Sequence, residues 1–221
     1  MDLGQLFIDS FFKLLIPGIR VSIPLTILGF SFAMVIAVIV AMVNYADVPV
    51  LKPITRFYIW IIRGTPLMVQ LVIGYYGLQS MGINVKPFPT AVLVFALNEG
   101  AYCAETMRGA LESVPYGQIE AGYCVGMNYL QVMRHIVIPQ ALRTAFPALS
   151  NSLISMTKDS CLAANITVAE MFTASQRIAG RTYQYMLLYC EVALIYLLFC
   201  TAITWLQKIG EKRLSHYGRR N

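Results

Sequence analysis

The chain has 221 residues, of which 57% are hydrophobic and 13% charged, and its formal net charge is +6. A soluble domain carries roughly 25% charged residues, so this composition excludes one and fits an integral membrane protein folded as a single domain over 1–221. The basic excess does not point to nucleic acid: the Lys and Arg lie between apolar segments and gather at the C-terminus, the pattern that orientation in a bilayer produces.

The opening MDLGQLFIDSFFKLL has an acid where a secretory signal needs basic residues, so no cleavable signal is expected. Leu3, Leu6, Phe7, Phe11 and Leu14 stand at helical spacing and predict a short helix lying at the interface. A helix needs roughly 20 mostly apolar residues to cross the hydrocarbon. Residues 21–43 meet that need most clearly, 54–78 form a second span with Arg63 inside it, and 88–107 a third with Glu99 and Glu105. From Ile136 to Ile166 apolar residues mix with Gln140, Arg143, Ser150, Asn151, Ser152, Ser155, Lys158 and Asp159, a composition for a fourth helix on the inside of a bundle. Residues 185–206, with Glu191, form the fifth. The expectation is an all-α membrane protein with about five transmembrane helices. Pro24, Pro66 and Pro147 should kink their helices.

Five spans place the termini on opposite sides. Nine Lys and Arg (Lys52, Arg56, Arg108, Arg134, Lys208, Lys212, Arg213, Arg219 and Arg220) fall on one side, against Lys13, Arg20, Lys86, Arg177 and Arg181 on the other. By the positive-inside rule the C-terminus and the loop before Ile136 face the cytoplasm and the N-terminus faces out.

That loop, residues 113–138, reads IEAGYCVGMNYLQVMRHIVI from 119 to its end, and Pro139 follows. Pro115 suits a first helical turn, Gly117 to Val125 form one short helix, and Gly126 ends it with φ > 0. Met127 to His135 form a second short helix, and Pro139 stands where the next long helix begins. A bent pair of short helices without a nucleophile and base fits a groove on another protein better than it fits catalysis.

Glu120, Ala121 and Gly122, three residues, Gly126, nine residues, then IVIP from Ile136 to Pro139 resemble the cytoplasmic loop signature of permease subunits of ATP-binding-cassette importers. The family pattern has Ala where this chain has Gly122 and Leu where it has Ile138; Gly122 should loosen the first short helix. RGTPLMVQL at 63–71 and AYCAETMRGALESVPYGQIEA at 101–121 resemble the polar-amino-acid branch of these permeases, and the likeness runs from about residue 18 to 208. The resemblance implies the type I importer fold, with a coupling-helix loop at 113–138 docked on a cytoplasmic ATPase dimer. It implies a second permease copy or a sister permease, and an extracytoplasmic amino-acid-binding protein. It implies uptake of a polar L-amino acid, or a derivative such as cystine, across a bacterial inner membrane. ATP and Mg would sit on the partner, since no G-x-x-x-x-G-K-[ST] occurs in this chain. The chain would be a transport subunit and not an enzyme.

Charges within spans usually face the interior or water. Arg63 or Lys158 could meet an amino acid's carboxylate, and Glu99 or Asp159 its ammonium; alternatively these residues pair with one another and hold helices together. Glu105 and Arg108, three apart on one helix, could pair locally. Without an ATPase the same charges would suit a small channel or secondary carrier, although no internal repeat is evident. An intramembrane enzyme lacks a motif: there is no H-E-x-x-H and no G-x-S-x-G. Cys103, Cys124, Cys161, Cys190 and Cys200 form no C-x-x-C and have no His at ligand spacing; no metal site is expected, and they should pack as small apolar residues.

Overall fold

The computed structural model describes residues 3–216, so Arg219 and Arg220 lie outside the described residues, which contain helices and no strand. α1 (Leu3–Pro17) passes through a π turn at Gly18–Ser22 into α2 (Ile23–Tyr45). α3 (Leu51–Gly64) and α4 (Leu67–Val72) follow, and a second π turn at Ile73–Gly77 leads to α5 (Leu78–Ser80). α6 (Pro87–Glu112) runs back to α7 (Tyr116–Cys124) and α8 (Tyr129–Val132). A third π turn, Met133–Val137, joins α8 to α9 (Ile138–Asp159), which tightens into a 3-10 turn at Ser160–Ile166. α10 (Met171–Thr182) precedes α11 (Tyr185–His216).

Two of the three π turns have a sequence cause. Pro24 and Pro139 each stand two residues past a π turn. A proline inside a helix lacks the N–H and its ring crowds the carbonyl four residues back, here Arg20 and His135. A wider turn at that place admits the ring without breaking the helix.

α6 is the centre of the bundle. It packs chiefly on α2, then on α9 and α3. Along α2 the buried Gly29, Ala33, Ala37 and Ala41 recur every fourth residue, a stripe of small side chains that lets two backbones approach closely where lipid supplies no hydrophobic drive between helices. A Cβ on Gly29 would lie 2.3 Å from the Met156 Cε. One core at the loop end joins Ala37, Ala41, Met107, Leu111, Val132 and Val137. A second joins Leu25, Leu71, Phe95, Met156 and Ile166, and a third joins Leu14, Met171, Leu188 and Ile195.

Among the described residues two helices are long and apolar enough to cross a membrane, Gly4–Tyr45 and Tyr185–Arg213, and the bent pair Leu51–Gly64 and Leu67–Ser80 makes a third if it is one span. α6 and α9 fall short of that test; Asn98 and Glu99 of α6 and Asn151, Ser152, Ser155 and Asp159 of α9 line the cavity described below.

Four expectations change. The N-terminal helix is continuous with the first span, a run of 42 residues, and Leu6, Ser10 and Leu14 on one side of it are buried where α1 meets α10 and α11. The second span is broken by a 105° bend, because a residue before proline is driven to extended backbone: Thr65, ahead of Pro66, has φ −122° and ψ 143°. The second short helix of the loop does not stop at His135 but continues through the third π turn into α9, whose second residue is Pro139. Of the cysteines only Cys103 is buried, and Cys124 and Cys190 are exposed. α10 was not foreseen.

Candidate functional site

The loop is built from local rules. Gly126 has φ +84°. Its N–H donates to Tyr123 O at 2.9 Å, and the Met127 N–H donates to Gly122 O at 3.1 Å. These are the two bonds of a Schellman motif, which satisfies the last carbonyls of α7. Asn128 then caps α8 reciprocally: its Oδ1 accepts from the Gln131 N–H at 3.0 Å while Gln131 Oε1 accepts from the Asn128 N–H at 2.8 Å. That capping box was readable as Asn-x-x-Gln and was missed.

The inner side of the loop is anchored. Gly122 is buried, and a Cβ there would lie 2.7 Å from Ile136 Cδ1. Its smallness therefore serves close packing of α7 on the third π turn, and the looseness expected of it is not needed. The Gln140 Nε2 donates to Gln118 Oε1 at 2.5 Å, tying α9 to α7. The outer side carries Tyr116, Val125 and Leu130, each more than 70% exposed, beside the exposed Glu120 and Ala121. These exposed apolar side chains make the outer side of the loop a candidate contact surface. Pro139 is half-buried in α9.

The second feature is a cavity of about 550 Å³ lined by Thr65, Pro66 and Leu67 at the α3–α4 corner, Asn98, Glu99 and Tyr102 of α6, and Asn151, Ser152, Ser155 and Asp159 of α9, with Ala148 and Leu162. Glu99 and Asp159, both foreseen, line it together. Arg63 lies just outside: its guanidinium stacks 5.2 Å from the Tyr102 ring centroid, and its Nη1 lies 3.8 Å from Glu105 Oε2. Lys158 is exposed and is not among the lining residues. The lining thus holds two carboxyl groups and no cation among the described residues, an environment for a cationic group bordered by amide and hydroxyl donors. Glu105 pairs with Arg108 at 3.1 Å, as three-residue spacing predicted, and Arg108 reaches Glu112 as well. A larger crevice of about 870 Å³ between α2, α9 and α11 is lined mostly by apolar side chains such as Phe30, Leu149, Phe199 and Leu206 and gathers no comparable set of polar groups.

The corner beside the cavity is held by polar side chains. Breaking a helix orphans its last carbonyls. The Thr65 hydroxyl donates to Ile61 O at 2.9 Å. The Gln70 Nε2 lies 2.8 Å from Ile62 O, 3.1 Å from Thr65 O and 2.8 Å from Thr65 Oγ1. Gln70 Oε1 accepts from Asn98 Nδ2 at 3.0 Å. At the turn between α2 and α3, Lys52 donates to Asp47, and that hydrogen bond, with the attraction of the ammonium, lowers the Asp47 carboxyl below its ordinary value. Groups of three or more His, Cys, Asp or Glu able to hold a metal are absent among the described residues.

Residues 33–216 match the family described as binding-protein-dependent transport system inner membrane component. The chain belongs to this family. The permease is 43% identical over 210 residues to the L-cystine transport system permease protein TcyB of Bacillus subtilis (strain 168), covering 95% of this chain and 90% of that protein. It is 36% identical to the octopine transport system permease protein OccM of Rhizobium radiobacter, over 90% of this chain and 84% of that one. The fold of the permease superposes on a crystal structure of an amino acid ABC transporter with histidines at a TM-score of 0.88, with 32% identity over 96% of this chain and 99% of that one. It superposes on the MetNI methionine ABC transporter at 0.76, covering 91% of this chain and 96% of that one; at 19% identity that likeness is one of fold. The chain is thus an inner membrane transport subunit of an ATP-binding-cassette importer, whose ATP is hydrolysed by a separate subunit and whose substrate arrives on a binding protein.

Proposed function

We propose that this permease carries a polar L-amino acid, or cystine, inward through the cavity between the α3–α4 corner, α6 and α9. The observation that carries the reading is that Glu99 and Asp159 line one cavity together, among Asn98, Asn151, Ser152 and Ser155. A charge within the hydrocarbon is expensive and is kept where it meets a partner, water or a substrate. Here the ammonium of an amino acid would face the two carboxyl groups, and the amides of Asn98 and Asn151 with the hydroxyls of Thr65, Ser152 and Ser155 would donate to its carboxylate. The transported molecules named for TcyB and OccM, cystine and octopine, both carry cationic nitrogen together with carboxylates, which supports this polarity.

In the same reading residues 113–138 face the cytoplasm and dock on the ATPase dimer through Glu120, Ala121, Gly122 and Gly126, with Ile136 and Pro139 fixing the base. ATP and Mg bind on that partner. A second permease, identical or a sister chain, completes the pathway, and an external amino-acid-binding protein delivers the substrate. The N-terminus is outside and the C-terminus inside.

The test is reconstitution of the permease with its ATPase and binding protein, and measurement of substrate-stimulated ATP hydrolysis across a panel of L-amino acids with L-cystine. Stimulation by one or a few polar members is expected. Glu120→Arg or Gly126→Arg should strip the ATPase from a permease that still inserts in the membrane. Uptake that persists without the ATPase would place the chain among channels or secondary carriers instead.

A further inference from the structure

The Thr65–Pro66 corner forms one wall of the cavity, yet the residue holding the corner is not among the lining residues. α3 stops at Gly64, the chain bends by 105°, and α4 starts without a side-chain cap on its own N-terminus. The Gln70 amide is the hinge pin. Its two N–H groups are shared among the carbonyls of Ile62 and Thr65 and the Thr65 hydroxyl oxygen, and its oxygen accepts from Asn98, which is 7% exposed and lines the cavity beside Glu99. A primary amide has two donors and an acceptor, and here both ends are used: one on the broken helix, one on the opposite wall. No apolar residue of similar size reproduces this, and a carboxylate supplies the acceptor without the donors.

We propose that Gln70 is a positioning residue for transport, fixing the corner against α6 so that Thr65 and Pro66 stand at the right distance from Glu99 and Asp159. The inference rests on the reading of that cavity as the substrate path. Losing the amide frees the corner from Asn98, widens the distribution of cavity shapes, and weakens substrate capture before it weakens the fold, because α4 and α6 remain packed through Leu71, Val94 and Phe95. In Gln70→Glu, a protonated carboxyl can still donate to one carbonyl and accept from Asn98, whereas the carboxylate cannot donate.

The experiment uses the permease reconstituted with its ATPase and binding protein. Each standard L-amino acid and L-cystine serves in turn as the labelled probe, and kinetics are taken on the one transported fastest. Gln70→Leu should raise the KM for uptake about tenfold while Vmax, normalised to assembled complex, falls less than twofold. Gln70→Glu should recover toward wild type as the pH falls from 8 to 5.5, and Gln70→Leu should not. A wild-type KM in Gln70→Leu, or a fall in Vmax alone in proportion to lost complex with no pH recovery in Gln70→Glu, overturns the inference. Glu99→Gln is measured alongside. If it raises KM while Gln70→Leu does not, only the role of Gln70 fails; if neither moves KM, the cavity is not the substrate path and both readings fall.

Discussion

Ser10 and Glu191 lie 181 positions apart, and the Ser10 hydroxyl donates to Glu191 Oε2 at 2.6 Å. Each is 1% exposed, and Glu191 Oε1 has no hydrogen-bond partner. This contact ties α1 to the start of α11 and explains why the amphipathic N-terminal segment folds into the bundle. The two partners are not equivalent. Ser10 Oγ also lies 2.7 Å from Leu6 O, so its single proton has an alternative acceptor if Glu191 is lost, whereas the acid keeps no partner if Ser10 is lost.

Ser10→Ala is therefore expected to cost about 1–3 kcal/mol, the penalty for stranding a buried polar group. Glu191→Leu, of similar volume, should cost less, and adding it to Ser10→Ala should recover most of the loss. Thermal unfolding of the purified permease in detergent reads all three; equal destabilisation by the two single changes would contradict the asymmetry.

The two loop glycines should answer differently to the same change. Gly126 sits at φ +84°, where a side chain costs roughly 1–2 kcal/mol. Gly126→Ala should loosen the turn and lower ATPase retention at equal membrane insertion. At Gly122 the added Cβ meets the mobile end of Ile136, and the better helix propensity of Ala, about 1 kcal/mol, offsets the crowding. Gly122→Ala should retain the ATPase, and Gly122→Val, with overpacking of about 1–3 kcal/mol, should not. Pull-down of the ATPase with each variant decides.

Asn128→Ala removes the cap of α8, worth about 1 kcal/mol, and strands the Gln131 N–H that it serves. The expected result is faster proteolysis within 125–131 and weaker ATPase binding, with the melting temperature of the whole bundle nearly unchanged. A large drop in melting temperature would mean that the loop is part of the global folding unit.

What was legible in the sequence was local. Gly126, the Glu105–Arg108 pair and the polar stripe of Asn151, Ser152, Ser155 and Asp159 all follow from spacing along one helix or turn. The bend at Pro66 was half legible: proline announced a kink, but at the 105° bend Gln70 reaches back to Ile62 and across to Asn98, and no spacing rule reports a partner 28 positions away. Lys158 stood with Asp159 among the expected substrate contacts because both are charges within a span. Adjacent residues stand about 100° apart around a helix, and that rotation carries Lys158 out of the cavity that Asp159 lines. α10 escaped notice because its start is set by Glu170, fully buried and accepting from the Phe172 and Thr173 N–H groups at 2.7 and 2.6 Å, a cap that depends on tertiary burial.

The cavity supplies the sharpest test of mechanism. A hydrogen bond from a charged group contributes about 1.5–3 kcal/mol, equivalent to a roughly tenfold to hundredfold change in affinity. Glu99→Gln and Asp159→Asn keep size and hydrogen-bonding capacity and remove the charge, so each should lower uptake by at least about tenfold while leaving assembly with the ATPase intact. Lys158→Met should leave uptake within about twofold of wild type, since the side chain points away from the lining; an effect as large as that of Asp159→Asn would move the path to the other face of α9. Arg63→Met is the discriminating case. If its stacking on Tyr102 and its approach to Glu105 only brace the wall, the variant loses stability and keeps its KM. If the guanidinium swings in to meet the substrate carboxylate, KM rises and stability holds. The place of Arg63 outside the lining favours the first outcome, and uptake kinetics beside a melting curve separate the two.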